Sequence, residues 1–312
     1  MRLENGIVEI KRRVRAFRRL RSIRIHRTRM DSHDAVKYSD YLEKCRRAFR
    51  SSNGSLSSDL ANCASVFLEK GFTSFHSGEN QTLATSILEK IKAEEKSGAE
   101  VWNSALRYQM GDIFQKFPEV EAMFRGATGD LLRKIYGAHY KIYYGVIYKS
   151  VSSEAPSSSQ LWHADGGPGT CINLMFCLSE VNKRNGSMEA LPWRESVEIF
   201  KTEDRAYANG TQSAEKVPVA QSREEYREVL CNYYKSQIDK RYAEKVFQPE
   251  APAGLIYPFR NNVLHKGGYP QPGHTRYVSV FHIYPSETPT PFEKYREFGI
   301  PKLGPYPKDP AF

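Results

Sequence analysis

What the sequence has little of narrows the field first. Cysteine is scarce: Cys45, Cys63, Cys171, Cys177 and Cys231 form an odd set, with no C-x-x-C and none at zinc spacing to a histidine pair. That argues against a disulfide framework or a zinc ribbon, and the expectation is unpaired thiols in a reducing cytoplasm. No apolar stretch approaches a membrane span in length, and no signal-peptide apolar region is visible. Internal repeats are absent too. Excess charge is missing from nearly the whole chain, although the formal net charge is +10. Lys11, Arg12, Arg13, Arg15, Arg18, Arg19, Arg21, Arg24, Arg27 and Arg29, with no acid among them, equal the entire excess of 46 Lys and Arg over 36 Asp and Glu. The remaining body is neutral and has no general attraction for polyanions.

The basic tail, residues 1–30, carries Val14, Phe17, Leu20 and Ile23 at every third position. A helix could lay that stripe on an anionic membrane or on RNA, so nucleic acid or membrane is a partner only through residues 10–30. The plainer expectation is a solvated arm, or an extension upstream of a start at Met30. Residues 31–130 read as a helical layer, with apolar steps of three and four in Ala35–Arg50, Ser58–Lys70, Asn80–Lys96 and Ala99–Phe117. From Leu131 to Lys149 the pattern turns to β-formers, densest in His139–Tyr148, and strand character returns in Thr170–Val181, Ser187–Leu191, Gly254–Phe259 and Thr275–Tyr284. Between them lies a charged insertion, 194–250, in which Ser222–Phe247 reads as one amphipathic helix with Tyr226, Val229, Leu230, Tyr233 and Ile238 inward. Residues 286–312 form a proline-rich extension expected to run as extended chain. Helices first and strands after suit an α+β chain: a double-stranded β-helix (jelly-roll) core over 131–285 with helices packed on one sheet.

What is present is a metal motif. His163-Ala164-Asp165 is followed about a hundred residues later by His265 and then by Arg276. On a strand, His163 and Asp165 point to one face, as chelation requires. Two histidines and a carboxylate on one face of an octahedral ion leave the opposite face open for a bidentate co-substrate and O2, the arrangement of non-heme Fe(II) oxygenases. Arg276, eleven residues past His265, supplies a guanidinium fork for a carboxylate, so the set reads as an iron site with an anchor for 2-oxoglutarate. Gly267-Gly268 lets the backbone turn near the metal. A hairpin through Pro270–Gly273 is expected to return Arg276 beside His265. His274 and His282 are expected to be ordinary surface or core histidines.

Residues 131–285 resemble the phytanoyl-CoA dioxygenase family of Fe(II)/2-oxoglutarate-dependent oxygenases, in LWHADGG, in CLSEVNKRNGSMEALPW with its Asn185-Gly186, and in GLIYPFRNNVLHKGG leading to Arg276. The resemblance implies that His163, Asp165 and His265 bind Fe(II), that Arg276 grips the far carboxylate of 2-oxoglutarate, and that Asn173 and Met175 line the co-substrate pocket. It also implies hydroxylation of a small molecule with release of succinate and CO2. Related halogenases have Ala or Gly where Asp165 stands, and the intact carboxylate favours hydroxylation. The chain departs from the family in Pro192-Trp193-Arg194-Glu195, where Pro-Gly-Ser-His is usual, and in Gly267, where a hydroxyl is usual. Two other readings stand beside this one. A nucleic-acid demethylase would explain the tail, but its Arg-x-Asn-x-Thr-x-Arg pattern is replaced by RYVSVFH. A basic-tailed jelly-roll binding protein would need no turnover at all. The insertion 194–250, joined at both ends to the core, is expected to act as a lid that selects substrate.

Overall fold

A computed structural model describes residues 35–49, 57–99, 101–102, 113–152, 158–165, 171–208 and 223–298. The tail 1–30 lies outside them. Helices come first: α1 (Ala35–Ala48), α2 (Ser58–Lys70), α3 (Gly78–Lys96), α4 (Ile113–Lys116), α5 (Pro118–Arg125) and α6 (Ala127–Tyr136). Their ends are written locally. The Ser57 and Ser77 hydroxyls accept the Leu60 and Asn80 amides at the starts of α2 and α3, and left-handed Gly71 closes α2. Pro118 occupies the first turn of α5, where no amide hydrogen is needed. The expected change of period at Leu131 comes later in the structure. Leu131–Tyr136 completes α6, whose apolar face is buried, and left-handed Gly137 ends the helix before any strand begins. Similarly, 101–102 are non-helical within the expected Ala99–Phe117 helix, while 103–112 fall outside the described residues.

The strands are β1 (His139–Val151), β2 (Ile172–Cys177), β3 (Glu189–Ala190), β4 (Ile256–Arg260), β5 (His265–Lys266) and β6 (Thr275–Ser286). Four form an antiparallel sheet in the order β1-β6-β2-β4, and β3 pairs with β5 in a second, small one. Bridges His163↔His265 and Ala190↔Phe247 extend the small sheet on both sides. Alternation gives the large sheet two faces. On one, Ile172, Leu174, Phe176, Phe281 and Ile283 bury against α2, α3, α5 and α6 through Phe67, Ile87, Phe124 and Leu132. On the other, Met175, Cys177, Tyr257, Phe259, Val278 and Val280 pack toward Met188, Ala190 and Val263 at the small sheet. A β-sheet with one face on helices and the other enclosing an interior is the coarse architecture expected.

Two α-helices, α7 (Trp193–Ala208) and α8 (Arg223–Arg241), dominate the described part of the insertion, followed by a 3-10 turn at Ala243–Lys245. The expected single helix to Phe247 stops at Arg241, and Phe247 joins the small sheet instead. Of the expected inward residues, Ile238 is buried and Leu230 and Tyr233 are half-buried, whereas Cys231 and Tyr234 carry the packing the sequence reading assigned elsewhere. The side chains of Tyr226 and Val229 lie outside the description. After β6, the expected extended chain is interrupted by α9 (Phe292–Phe298), whose Tyr295 ring stacks on Phe114 and whose Phe292 ring packs against it at a tilt. None of the five cysteines is in a disulfide. No described helix is long and apolar enough to cross a membrane.

Candidate metal centre

His163 and His265 face each other across a two-residue antiparallel bridge, each donating its amide to the other's carbonyl at 2.9 and 2.8 Å. The Asp165 amide reaches the Asn261 carbonyl at 2.8 Å, so three ligands from two chain segments share one fixed backbone frame. The ligand atoms of His163, Asp165 and His265 all lie within 4.8 Å of one another. His163 Nε2 is 3.6 Å from one Asp165 oxygen, and His265 Nε2 is 3.7 Å from the other. Neighbouring donors bonded to one ion at about 2.0–2.2 Å stand roughly 3 Å apart, so spacings of 3.6 and 3.7 Å need only a small inward shift to close on a single ion.

The surrounding bonds fix which atoms serve. His163 Nδ1 contacts the Leu161 carbonyl at 2.6 Å, and His265 Nδ1 contacts the Val263 carbonyl at 2.9 Å. A carbonyl there keeps the proton on Nδ1 and leaves the Nε2 lone pair for a metal. Asn173 donates its amide to Asp165 Oδ2 at 2.6 Å. Burial pushes the Asp165 carboxyl up, but His265, then His163 and His282, and the Asn173 amide outweigh it and hold it below the ordinary carboxylate range. The group is thus ready as an anion.

Arg276 is buried on the inward face of β6, 5% exposed, with its guanidinium donating to the Gly186 carbonyl. It makes no ion pair among the described residues, and its Nε has no partner there. Burial lowers its pKa from the usual value, yet a guanidinium stays charged in any protein. The Asn182–Gly186 turn that presents this carbonyl is tied by Asn182 and Asn185 to each other's amides. Gly186 is left-handed at φ 79°, and a Cβ there would stand 2.7 Å from the Pro270 nitrogen. Gly268 is as tightly held, its virtual Cβ 2.1 Å from the Ser187 carbonyl oxygen.

Arg276 does not reach this position by the expected hairpin. β5 belongs to the small sheet, while β6 pairs with β1 and β2, with Arg276 opposite Ser150. The segment after His265 crosses between sheets, because its glycines form no ladder, and delivers Arg276 to the interior from the other wall. Asn173 and Met175 lie on the same inner face. The Asn173 amide is committed to Asp165, and Met175 sits one row further in, opposite Val280 and Tyr257.

Sequence reasoning missed His282. It pairs with Asn173 across β6–β2 and lies within electrostatic reach of Asp165 and His265, not in an ordinary core or on the surface. The available signal was parity, since it stands six residues after Arg276 on one strand. His274, by contrast, is exposed as expected. Cys171 and Cys177 are also close, but burial pushes both thiols up to about 12, which removes them as nucleophiles.

No family model matches the chain, and no curated protein does. Among solved structures it is similar to EctD from S. alaskensis, determined with 2-oxoglutarate and 5-hydroxyectoine, at TM-score 0.50 and 12% identity over 84% of this chain and 89% of that one. It also matches AviO1 from Streptomyces viridochromogenes at TM-score 0.46 and 15% identity, covering 76% of this chain and 100% of that one. The alpha-ketoglutarate-dependent epimerase SnoN from nogalamycin biosynthesis follows at 0.45 and 12%, covering 73% and 83%. The first likeness supports the fold; similarity at the level of the other two says nothing further about it.

Proposed function

We propose that this chain is an Fe(II)- and 2-oxoglutarate-dependent dioxygenase, an oxidoreductase of the phytanoyl-CoA dioxygenase type with a jelly-roll core, that hydroxylates a C–H bond of a small molecule. The observation that carries the reading is the pairing of a three-ligand set with a buried arginine that has no acid partner among the described residues. A metal site alone fits many proteins. A guanidinium taken out of water without an acid is costly unless an anion completes it, and a dicarboxylate chelating the metal is such an anion. EctD, which shares the fold, was determined with 2-oxoglutarate, in keeping with the same co-substrate here.

His163 and His265 would present Nε2, and Asp165 one oxygen, to Fe(II), while Asn173 keeps the carboxylate from rotating away. When bound, the iron supplies activation of O2, so that 2-oxoglutarate, O2 and R–H become succinate, CO2 and R–OH. The chain's own part is to hold the far carboxylate at Arg276, to line the interior with Met175, Val278 and Val280, and to shield it from water. The insertion 194–250 would select substrate. Its described helices form a wall behind the ligand strands, and residues 209–222 lie outside the described residues.

The test is anaerobic binding followed by turnover. Purified protein should take one equivalent of Fe(II), develop the visible absorption of an iron–oxo acid chelate on adding 2-oxoglutarate, and release succinate in air when the right metabolite is supplied. His163→Ala, Asp165→Ala and His265→Ala should each abolish the chelate. A chain that binds neither Fe(II) nor 2-oxoglutarate overturns the reading in favour of a non-catalytic shell.

A further inference from the structure

His282 stands beside the metal centre, within electrostatic reach of Asp165 and His265. It sits on the inner face of β6, opposite Asn173 and therefore beside the Asp165 carboxylate that Asn173 holds. Among the described residues its ring has no hydrogen-bond partner, and it packs on the Tyr144 ring, 5.0 Å between centroids. The backbone is arranged around it. The β1–β6 register slips between Ile142 and Tyr144, directly opposite His282, and this bulge turns Tyr143 and Tyr144 toward the interior in succession. Tyr143 then meets Tyr284 edge to face at 5.3 Å. Bulges commonly re-aim side chains beside sites where ligands bind. A bulge that packs an aromatic ring against an imidazole, and leaves its nitrogens unspent, prepares a donor for a guest.

Position along the strand says which guest atom it meets. On the inner face of β6 the order is Arg276, Val278, Val280, His282. Arg276 marks the far end of the interior and His282 the metal end, with two valines between that can offer only contact. Six residues of strand put about 20 Å between their Cα atoms, so a five-carbon dicarboxylate meets both only where the long Arg276 side chain and the His282 ring each reach inward to it.

We propose that His282 binds the metal-proximal end of the oxo acid, its ring N–H donating to the carboxylate that chelates the metal. The proposal rests on the oxygenase reading above and adds to it a second anchor at the opposite end from Arg276. Tyr144 holds the imidazole plane, and Asn173 keeps Asp165 from capturing the same proton.

The experiment uses the full chain loaded with Fe(II) under anaerobic conditions, titrated with 2-oxoglutarate and read by the chelate's visible absorption. His282→Phe keeps the ring against Tyr144 and removes the donor. It should weaken 2-oxoglutarate about ten- to a hundredfold, the range for one hydrogen bond to a charged group, with Fe(II) affinity unchanged. His282→Gln should restore part of the loss. Oxalate, which keeps the chelating head and has no far carboxylate, should lose affinity on His282→Phe and not on Arg276→Ala. Unchanged 2-oxoglutarate affinity in His282→Phe overturns the proposal. So does a parallel loss of Fe(II), which would make His282 only a support for Asp165. If the unsubstituted chain takes up neither Fe(II) nor 2-oxoglutarate, the oxygenase reading itself fails, and that outcome is separate from both.

Discussion

Replacing Arg276 by methionine should make the ligand-free protein no less stable while cutting its response to 2-oxoglutarate to less than half. Stability and ligand affinity pull in opposite directions here because the guanidinium is buried with a single carbonyl partner and no acid among the described residues. Burying an ion costs several kcal/mol after relaxation, and one charged hydrogen bond returns only about 1.5–3 kcal/mol. Methionine has similar length and no charge to desolvate, so the net change runs from neutral to roughly 3 kcal/mol of added stability. For a chain of this size that is up to about 6 °C in Tm. With Fe(II) present and 2-oxoglutarate at a hundred times Kd, the parent gains about 2.7 kcal/mol. Truncating a shielded charged contact costs about 2–5 kcal/mol, at least a thirtyfold loss of affinity, so the same addition should give the variant less than about 1 kcal/mol. Thermal unfolding with and without the ligand measures both halves. A ligand-free variant destabilised by about 3–5 kcal/mol would refute the reasoning, since that is the signature of breaking an internal ion pair.

Asn173→Ala should lower Fe(II) affinity about ten- to a hundredfold in a metal competition assay with little change in Tm, because its amide orients Asp165 from behind. Glu95 accepts from Lys149, Trp102 and Tyr277. Burial raises its carboxyl, but these three outweigh it and hold the pKa below the ordinary value. The contribution is therefore present above the unfolded value and lost as pH falls through the lower folded one. Glu95→Gln should cost about 1–2 kcal/mol in urea at pH 7, a gap that closes in acid. Deleting residues 1–29 should leave Tm and small-molecule turnover unchanged; loss of either in the purified product would show that the tail belongs to the catalytic body. Exchanging Ser222–Phe247 for a flexible linker should weaken Fe(II) binding as well as substrate hydroxylation. Full retention of Fe(II) affinity would show that the segment acts only at the mouth.

The candidate triad could be picked out because its parts are local or chemically rare. His163 and Asp165 are two apart, and period two in a strand is enough to place both on one face. The long-range half was not legible in the same way. That His265 bridges His163 follows from sheet pairing, which the sequence encodes only through many weak contacts. The hairpin expected to carry Arg276 home failed because Gly267 and Gly268 read equally well as a tight turn and as a crossing between sheets. Helices fared better: Ser58–Lys70 was bounded by a serine cap and a left-handed glycine, both local signals. Leu131–Tyr136 was misread since Leu, Ile and Tyr suit either period, and only the burial of one helical face decides it. His282 escaped notice because a single histidine in an apolar strand resembles any core residue until its neighbours across the sheet are known.

The placement of the insertion follows from the same alternation that builds the site. With His163, Asp165 and His265 turned inward, Trp162, Ala164 and Leu264 must turn outward, and they would leave an apolar surface bare. Tyr234 and Ile238 of α8 and Ile199 of α7 cover that surface. Ser196, fully buried in α7, accepts the Leu264 amide at 3.0 Å and donates to the Leu191 carbonyl at 3.1 Å, binding the helix to the residue beside His265. Each sheet therefore has a helical layer on its outer face, and the ligands stand between two backed walls. A lid that swung as a whole would have to break these contacts and uncover Trp162 and Leu264, at about 1.5–3 kcal/mol for each large side chain exposed. The helices themselves belong to the frame that keeps three ligand atoms within reach of one ion.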